Sequence, residues 1–326
     1  MKREVPVEES VGMVLAHDVT QIIPGEYKGR LLKKGHVIRA EDIEPLRSIG
    51  KAHLYVLEPE SDEVHEDDAA ARMAQALLHE SLVAGVAHEG KAVLKSRHAG
   101  VLRVRAEHMV PLNLNGELLL ATKTAYVPVA QDETVAVARA IPLLIKEQTL
   151  QTFTEYARGH APIIEVLPYL EQRVGVVTTG GEVYSGRIED KFGPLLQAKL
   201  NAYPAKWLGQ TIVGDEVEAI VAAILEWVAR DASLVLVTGG MSVDPDDRTP
   251  AAIRRVAGDV VAYGFPMLPG SMLMLAYHER ATVMGLPGGV LYDKRTSFDL
   301  VLPRLLAGVR VTAQEVAALG YGGLLS

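Results

Sequence analysis

The sequence predicts an α/β protein with a C-terminal three-layer domain around a mainly parallel sheet, preceded by a β-rich N-terminal module and a β-rich middle domain. Apolar residues make up 48% of the 326 residues and aromatic residues only 5%, so the core is expected to consist mainly of Val, Leu, Ile and Ala. After Arg173, short apolar runs alternate with amphipathic segments. Before Arg173, β-branched runs are separated by Gly and Pro turn signals.

Residues 1–60 are predicted to form the small β-rich module. Its short apolar runs are separated by the turn segments PGEYKG, KKG and SIG, and a helix is expected near residues 40–49. Residues 61–165 are predicted to form the middle domain. In that region an acidic stretch leads into a helix rich in good helix formers, and β-branched runs follow from residue 90 to residue 145.

Residues 166–326 are predicted to form the three-layer domain with a C-terminal tail. Thr249 is expected to be a helix N-cap, with Pro250 at the first helical position. Alternating strands and helices at this spacing imply right-handed crossovers and a mainly parallel sheet. The predicted strands are residues 173–180, 206–214, 233–240 and 281–289, and the predicted helices are residues 190–203, 215–231, 249–258 and 292–308.

Charge and composition argue against several classes of function. The net charge of −8 argues against bulk binding to nucleic acid or to an anionic membrane. The absence of Cys excludes disulfides and thiolate metal sites, and the motifs GxSxG, HExxH and GxxxxGK[ST] do not occur. The segment MKREVPVEES has no apolar run typical of a signal peptide, and no run reaches the ~18 apolar residues of a membrane span. We expect a cytoplasmic protein.

Three loops with paired glycines follow predicted strands, at residues 178–190, 238–250 and 285–293. In open α/β sheets, ligands bind where the loops at the carboxyl ends of the strands converge. Glycine lets backbone N–H groups approach a bound oxyanion, and a helix N-terminus just beyond the loop favours negative charge. The loops therefore predict a site for a phosphate-bearing ligand.

The aspartates in the second loop need a separate explanation, because carboxylates repel phosphate. A hard cation such as Mg²⁺, held by oxygens of Glu182 and of Asp246 or Asp247 and shared with the ligand, makes the charges compatible. An alternative is that the carboxylates of this loop and the Thr249 hydroxyl only cap the next helix.

The ordered series VVTTGGE, SGRIED, VGDEVEAI, SLVLVTGGMSVDPDDRTP, MLPG and VMGLPGG resembles the molybdopterin-binding domain of the molybdenum cofactor biosynthesis family over about residues 172–308. The layout of the whole chain is most similar to the molybdenum-insertion enzymes of the MoeA and gephyrin E-domain type. The segments VPVEESVGMVLAHDVT and LLKKGHVIRAEDIEPLRSIGKAHLYVL are similar to parts of those enzymes.

The resemblance implies molybdopterin, or its adenylylated form, as ligand and Mg²⁺ as a second cofactor, with molybdate and a molybdoenzyme as further partners of a homo-oligomer. It implies a molybdopterin molybdenumtransferase if the chain is catalytic, with Glu182, Asp246 and Asp247 as catalytic residues and the same three with Asp215 as metal ligands. The residues expected to bind the cofactor are Thr179, Gly180, Gly181, Asp190, Thr238, Gly239, Gly240, Ser242, Pro269, Gly270, Pro287, Gly288 and Gly289.

The sequence departs from the insertion enzymes at three places. Gly181 stands where they have Asp, residues 268–271 read LPGS where they have a lysine-bearing turn, and their SAMDGYA segment has no counterpart. These departures favour a non-catalytic carrier of the finished cofactor, whereas the retained carboxylates oppose it. The loop VTGGMSVDPDDRTP is also similar to a loop of the CinA family, which implies metal-dependent cleavage of a nucleotide pyrophosphate as another alternative.

Overall fold

The computed structural model describes residues 2–23, 27–242, 244 and 247–325. It divides into two compact units. Unit 1 contains residues 1–125 and 129–166, and unit 2 contains residues 126–128 and 167–326. The further division of unit 1 at residue 60 stays a prediction.

From residue 2 to residue 168 the chain is rich in short strands. The strands are β1 (Lys2–Pro6), β2 (Val14–Leu15), β3 (Val19–Ile23), β4 (Tyr27–Leu32), β5 (His53–Leu57), β6 (Glu63–His65), β7 (Leu82–Ala84), β8 (Lys91–Ser96), β9 (Gly100–Val104), β10 (Leu118–Thr122), β11 (Pro128–Val129), β12 (Thr134–Ala140), β13 (Leu144–Lys146) and β14 (Ile164–Pro168). The helices are α1 (Ile43–Ser48), α2 (Glu66–Ala76), α3 (Met109–Asn113) and α4 (Glu147–Gly159).

These strands form several small sheets, which confirms the β-rich character predicted for the N-terminal parts. The strand orders are β1-β5-β2, β3-β4, β10-β12-β8-β7, β11-β9-β14 and β13-β6. A separate core lies within the first 57 residues, where strand residues such as Leu15 and Val56 pack with Leu46 of α1. Helix α2 buries a face of small residues with Met73.

Unit 2 contains the remaining strands and helices. The strands are β15 (Gln172–Thr179), β16 (Ala205–Val213), β17 (Leu234–Thr238), β18 (Asp259–Tyr263), β19 (Met274–Tyr277) and β20 (Thr282–Leu286). The helices are α5 (Gly181–Tyr184), α6 (Phe192–Leu200), α7 (Val217–Ala229), α8 (Thr249–Val256), α9 (Ser297–Leu306) and α10 (Ala313–Ala318).

The six strands form one sheet in the order β16-β15-β17-β20-β19-β18. Strands β16, β15, β17 and β20 are parallel, and β19 is antiparallel to both of its neighbours. The predicted mainly parallel sheet is therefore confirmed. The β18-β19 pair was missed by the sequence analysis, because the segment between α8 and β20 was not assigned to strands.

Helices cover both faces of this sheet, which gives three layers. Alternate residues of β17 point to opposite faces of the sheet. Leu234 and Leu236 pack into one hydrophobic core, and Val235 and Val237 pack into the other. The first core also holds residues of α6 and α9, and the second holds residues of α7 and α8. The α/β class predicted from the Val, Leu, Ile and Ala content is confirmed.

The N-cap residue predicted for helix α8 is wrong. Arg248 is the N-cap of α8 and makes no capping hydrogen bond with its side chain, so Thr249 is the first helical residue. The Thr249 hydroxyl is fully buried and donates to the Gly239 carbonyl oxygen instead. A tertiary contact has therefore replaced the local cap.

Among the described residues, no helix combines the length and the apolar character that crossing a membrane requires.

The indole of Trp227 fixes the packing of α7 on the sheet, and we expect Gly175→Ala to destabilise unit 2 there. A Cβ at Gly175 would lie 2.6 Å from Trp227 ring carbons, and Trp227 is almost completely buried. Overpacking of this kind costs about 1–3 kcal/mol. Urea denaturation followed by Trp fluorescence measures the loss.

Gly258→Ala is the matched control for this substitution. It lies in the same unit, is exposed, and a Cβ there would meet nothing closer than the Tyr277 carbonyl oxygen at 4.0 Å. Equal unfolding free energies of the two variants would contradict the prediction, because they would show that the Trp227 indole can move to accommodate the added methyl group.

Candidate functional site

The carboxyl ends of β15, β17 and β20 lie side by side in the sheet. Thr178 pairs with Thr238, and Thr238 pairs with Leu286, so the loops that follow these strands leave from the same edge. These are the three glycine loops of the sequence analysis. Ligands of open α/β sheets bind at this edge.

Two glycines let the second loop pack directly on the first. Gly239 and Gly240 have φ angles of +88° and +54°, which residues with a Cβ rarely adopt. A Cβ at Gly239 would lie 2.2 Å from the Thr179 carbonyl oxygen. The glycine is therefore required by close approach of backbone as well as by φ.

Buried hydroxyl groups hold the ends of the strands together. The Thr249 hydroxyl donates to the Gly239 carbonyl oxygen at 2.8 Å, which leaves its oxygen to accept from the Thr179 hydroxyl at 3.1 Å. On the other side, Thr178 Oγ1 accepts from Thr238 Oγ1 at 3.1 Å and from Gln210 Nε2 at 2.7 Å. Thr179 and Thr238, both expected to bind the cofactor, lie in this buried network.

Asp215 and Asp190 shape the first loop through backbone contacts. Asp215 Oδ2 accepts from the Gly181 N–H at 2.7 Å. Asp190 accepts from the Phe192 and Gly193 N–H groups, both at 3.0 Å, and so orders the start of α6. These contacts occupy the two carboxylates with the protein's own N–H groups.

A further loop packs against the start of α9. The Ser297 hydroxyl donates to the Gly270 carbonyl oxygen at 2.6 Å, and Gly270 has a φ of +104°. A Cβ at Gly270 would lie 2.6 Å from Ser297 Oγ. Thr296 and Asp299 form a capping box at the same helix start, so this loop rests on an ordered helix terminus.

Tyr263 of β18 anchors the end of the second loop, and sequence analysis missed it. Its hydroxyl lies within hydrogen-bond distance of the carbonyl oxygens of Met241, at 3.0 Å, and Ser242, at 3.2 Å. Burial raises the pKa of the Tyr263 hydroxyl, Arg254 lowers it, and the negative charge of Asp247 raises it. The phenol therefore stays a neutral donor, and no motif in the sequence signals this contact.

The loops enclose a cleft of about 460 Å³ in unit 2. The predicted site residues that line it are Gly239, Gly240, Ser242, Asp247, Gly270, Pro287, Gly288 and Gly289. The lining residues that sequence analysis missed are Phe192, Met241, Ser271, Met272, Leu286, Leu291 and Tyr292. Tyr292 is 86% exposed. Its sequence signal is an aromatic residue three positions after a glycine pair.

The other predicted site residues lie outside this lining. Glu182 is exposed on α5, and Asp246 lies outside the described residues. Among the described residues, no group of three or more His, Asp or Glu side chains is placed to hold a metal ion. The predicted residues that do not line the cleft are Thr179, Gly180, Gly181, Glu182, Asp190, Asp215, Thr238 and Pro269.

The cleft offers backbone donors and one carboxylate. The N–H groups of Gly240, Gly288 and Gly289 donate no hydrogen bond to any described residue. Among the described lining residues, Asp247 alone carries a carboxylate, and there is no Lys, Arg or His. Unpaired N–H groups at a concave surface suit an oxyanion.

In comparisons with known proteins, residues 175–307 match the family model described as "Probable molybdopterin binding domain". Residues 4–58 match a domain of unknown function. The resemblance to the molybdopterin-binding domain family is confirmed for the C-terminal region.

Curated relatives come from two groups of proteins. A CinA-like protein of Syntrophus aciditrophicus is 28% identical over 153 residues, which is 42% of this chain and 36% of that protein. A molybdenum cofactor biosynthesis bifunctional protein of Synechococcus elongatus is 41% identical over 78 residues, which is 24% of each chain. The gephyrin of Dictyostelium discoideum is 29% identical over 153 residues, which is 40% of this chain and 21% of that protein. The matched regions thus span 36% or less of these relatives.

A solved structure also matches part of the chain. The molybdopterin biosynthesis enzyme MoaB of Thermus thermophilus is 25% identical, with a TM-score of 0.38, over 42% of this chain and 97% of that chain.

We expect Thr249→Val to destabilise unit 2 by about 1–3 kcal/mol, because valine keeps the shape of threonine but removes the partner of the part-buried Gly239 carbonyl oxygen and of the buried Thr179 hydroxyl. Thr282→Val is the matched control, since the Thr282 side chain makes no hydrogen bond with a described residue. Chemical denaturation measures both variants. An unchanged unfolding free energy for Thr249→Val would show that the hydroxyl does not hold the loop.

Proposed function

We propose that the cleft of unit 2 binds molybdopterin or its adenylylated form, and that the chain acts in molybdenum cofactor biosynthesis. The observation that carries the proposal is the position of the cleft. Its glycine loops converge at the carboxyl edge of the sheet, inside the region that matches the molybdopterin-binding family. A volume of about 460 Å³ lies in the range of small-molecule sites.

The chemistry of the lining supports a ligand with a flat ring and an anionic end. Phe192 and Tyr292 offer aromatic surface to a heterocycle, and Met241 and Met272 add polarisable contacts. The unpaired N–H groups of the glycine loops can receive phosphate oxygens. Molybdopterin combines a pterin ring with a terminal phosphate.

The residues present fit one Mg²⁺ ion bound together with the ligand. Mg²⁺ is usually held by one or two carboxylates, substrate phosphates and water, and the Asp247 carboxylate makes no hydrogen bond or ion pair with a described residue. Asp215 already accepts from the Gly181 N–H group, and Glu182 lies outside the cleft lining. The structure therefore supports these two residues as Mg²⁺ ligands less directly than it supports Asp247. When bound, the ion would supply charge neutralisation at the phosphate and could orient molybdate.

If the chain is a molybdenumtransferase, its own residues have separate tasks. The glycine loops hold the phosphate through backbone donors. Asp247 would hold the cation, with Glu182 and Asp246 as further proposed carboxylates, and the aromatic residues would orient the ring. If the chain is a carrier, the same contacts bind the finished cofactor without turnover.

A nucleotide pyrophosphatase of CinA type is the second candidate. The CinA-like relative matches this chain over 153 residues, about the length of the C-terminal domain. The same glycine loops could receive a pyrophosphate group. An acidic side chain and a metal at that position suit cleavage between two phosphates as well as they suit cofactor binding.

Calorimetric titration of the full chain tests these candidates. Molybdopterin is added with and without MgCl₂, and ADP-ribose is added as the competing ligand. Pterin binding that strengthens with Mg²⁺ supports the proposal, and a further assay with molybdate separates transfer from carriage. Binding and cleavage of ADP-ribose without pterin affinity would overturn it in favour of the second candidate.

We expect Asp247→Asn to abolish turnover and to weaken pterin binding in the presence of Mg²⁺ by about tenfold or less, which corresponds to ~1.4 kcal/mol. The amide can no longer offer a charged oxygen to the cation, while the backbone donors remain. Titration with and without MgCl₂ measures the change. Asp231→Asn is the control, because Asp231 is exposed and precedes β17 at the opposite edge of the sheet. If MgCl₂ still strengthens pterin binding by Asp247→Asn as much as by the native chain, Asp247 does not bind the ion.

A further inference from the structure

Two hydroxyl groups hold the second glycine loop of unit 2 from behind the cleft. The Thr249 hydroxyl donates to the Gly239 carbonyl oxygen at 2.8 Å. The Tyr263 hydroxyl lies 3.0 Å from the Met241 carbonyl oxygen. The residues that carry these carbonyl groups line the cleft, whereas neither hydroxyl belongs to a described lining residue. Both hydroxyls therefore reach the loop from the side that faces away from the cleft.

The direction of the two carbonyl groups fixes the direction of two N–H groups. In a trans peptide unit the C=O and N–H bonds point in opposite directions, and neither peptide bond is among the cis bonds of the described residues. The peptide unit of the Gly239 carbonyl group carries the Gly240 N–H. That of the Met241 carbonyl group carries the Ser242 N–H. These N–H groups therefore point away from the hydroxyls, toward the side of the loop that lines the cleft.

Both N–H groups are free to bind a ligand. The N–H groups of Gly240 and Ser242 donate no hydrogen bond to a described residue, and both residues line the cleft. Unpaired N–H groups at a concave surface suit an oxyanion. A peptide unit whose carbonyl oxygen accepts a hydrogen bond is polarised, which makes its N–H a stronger donor. The two hydroxyls thus orient these donors and strengthen them.

Met241 stands between the two donors and is fixed in the core. It is 4% exposed and packs in the same hydrophobic core as Ile253. A Cβ at Gly285 of β20 would lie 2.6 Å from the Met241 Sδ and Cε atoms, so this glycine makes room for the side chain. The loop cannot turn at Met241 without withdrawing that side chain from the core. The peptide units on either side of Met241 therefore keep their orientation.

The Tyr263 ring is held independently of the loop. Tyr263 lies in β18 and pairs with Met274 of β19. The ring packs against the second core, and the Arg254 guanidinium carbon lies 5.2 Å from the ring centroid. The hydroxyl also lies 3.2 Å from the Ser242 carbonyl oxygen, but its single hydrogen is best placed at the shorter Met241 distance. An ordered strand therefore presents this hydroxyl to the loop.

The proposed cation ligand lies beside the donor pair. A Cβ at Gly240 would lie 3.6 Å from Asp247 Oδ1, so the carboxylate is adjacent to the first donor. The carboxylate alone would repel an anion at the two N–H groups, whereas a cation bound to it would attract one. A phosphate held by the two N–H groups would thus lie where a cation on Asp247 can contact one of its oxygens.

We propose that Tyr263 is a positioning residue, whose hydroxyl holds the Met241 carbonyl group so that the Ser242 N–H and the Gly240 N–H together receive one phosphate group of the ligand. Tyr263 itself does not touch the ligand and acts through the loop. The identity of the ligand rests on the proposed function, whereas the donor pair is a property of the loop.

Tyr263→Phe tests the proposal, because it removes the hydroxyl and keeps the ring. The full chain is titrated calorimetrically in the presence of MgCl₂ with molybdopterin and with molybdopterin from which the phosphate has been removed. We expect the variant to bind molybdopterin about tenfold more weakly than the native chain, and to bind the dephosphorylated compound equally well, because only the phosphate uses the Ser242 N–H. An unchanged affinity for molybdopterin, or an equal loss for both compounds, would overturn the proposal.

Tyr277→Phe is the matched control. Tyr277 lies in β19 of the same sheet, and its hydroxyl also contacts backbone groups, those of Val311. It pairs with Thr282 at the start of β20, the end opposite to the cleft. We expect this variant to bind both compounds as the native chain does. A loss of molybdopterin affinity equal to that of Tyr263→Phe would overturn the proposal, because removal of any Tyr hydroxyl from the sheet would then have the same effect.

The amide resonances of Gly240 and Ser242 test the donor pair without a pterin. Inorganic phosphate is added with MgCl₂ to the isotope-labelled full chain, and the amide proton shifts are followed by NMR. Both amide protons of the native chain are expected to move downfield. In Tyr263→Phe we expect the Ser242 shift to be lost and the Gly240 shift to remain, because Thr249 still holds the Gly239 carbonyl group. The same Ser242 response in both chains, or no response of either amide in the native chain, would overturn the proposal.

The two experiments separate this proposal from the proposed function. If phosphate moves both amide protons of the native chain but molybdopterin does not bind, the proposed function fails and the role of Tyr263 stands. If molybdopterin binds and neither amide proton responds to phosphate, the role of Tyr263 fails and the proposed function stands.

Discussion

The backbone contact between the first and second glycine loops is the constraint on which the candidate site depends. Gly239 lies against the Thr179 carbonyl oxygen with no room for a Cβ, and the Thr249 hydroxyl closes the same junction. The parallel pairing of β15, β17 and β20 brings the loops to one edge, but this contact sets their separation. The cleft and its unpaired N–H groups follow from that separation, because glycine lets the backbone itself form the wall.

Most of the architecture of unit 2 could be predicted from the sequence because its periodicity is local. Short apolar strands and amphipathic helices alternate there, and they occur within a few residues of the predicted ranges. The antiparallel β18 and β19 were missed because partner strands distant in the chain stabilise them. The N-cap role assigned to Thr249 was wrong for a similar reason, since its hydroxyl donates to the Gly239 carbonyl oxygen, which is distant in the chain, and Arg248 occupies the N-cap position.

The candidate site was only partly accessible to sequence reasoning. Paired glycines identify the loops, because their conformational freedom is a property of the residue itself. Tertiary hydrogen bonds decide which carboxylates remain available to a ligand or a metal ion. The hydrogen bond from the Gly181 N–H to Asp215 is an example, and residue spacing in the sequence does not reveal such contacts. Phe192 was missed for the same reason. Its importance comes from the cleft beside it, and a cleft is lined by segments that are far apart in the chain.

The lack of cationic side chains in the described lining of the cleft has a kinetic consequence. The chain carries a net charge of −8, so an anionic ligand approaches without long-range electrostatic steering and partly against repulsion. Screening by salt weakens that repulsion, so encounter becomes faster as ionic strength rises, which is the reverse of the behaviour of steered complexes. A ligand that arrives already paired with a divalent cation avoids much of the barrier. On the proposed function, Mg²⁺ would therefore raise the rate of ligand capture as well as the affinity.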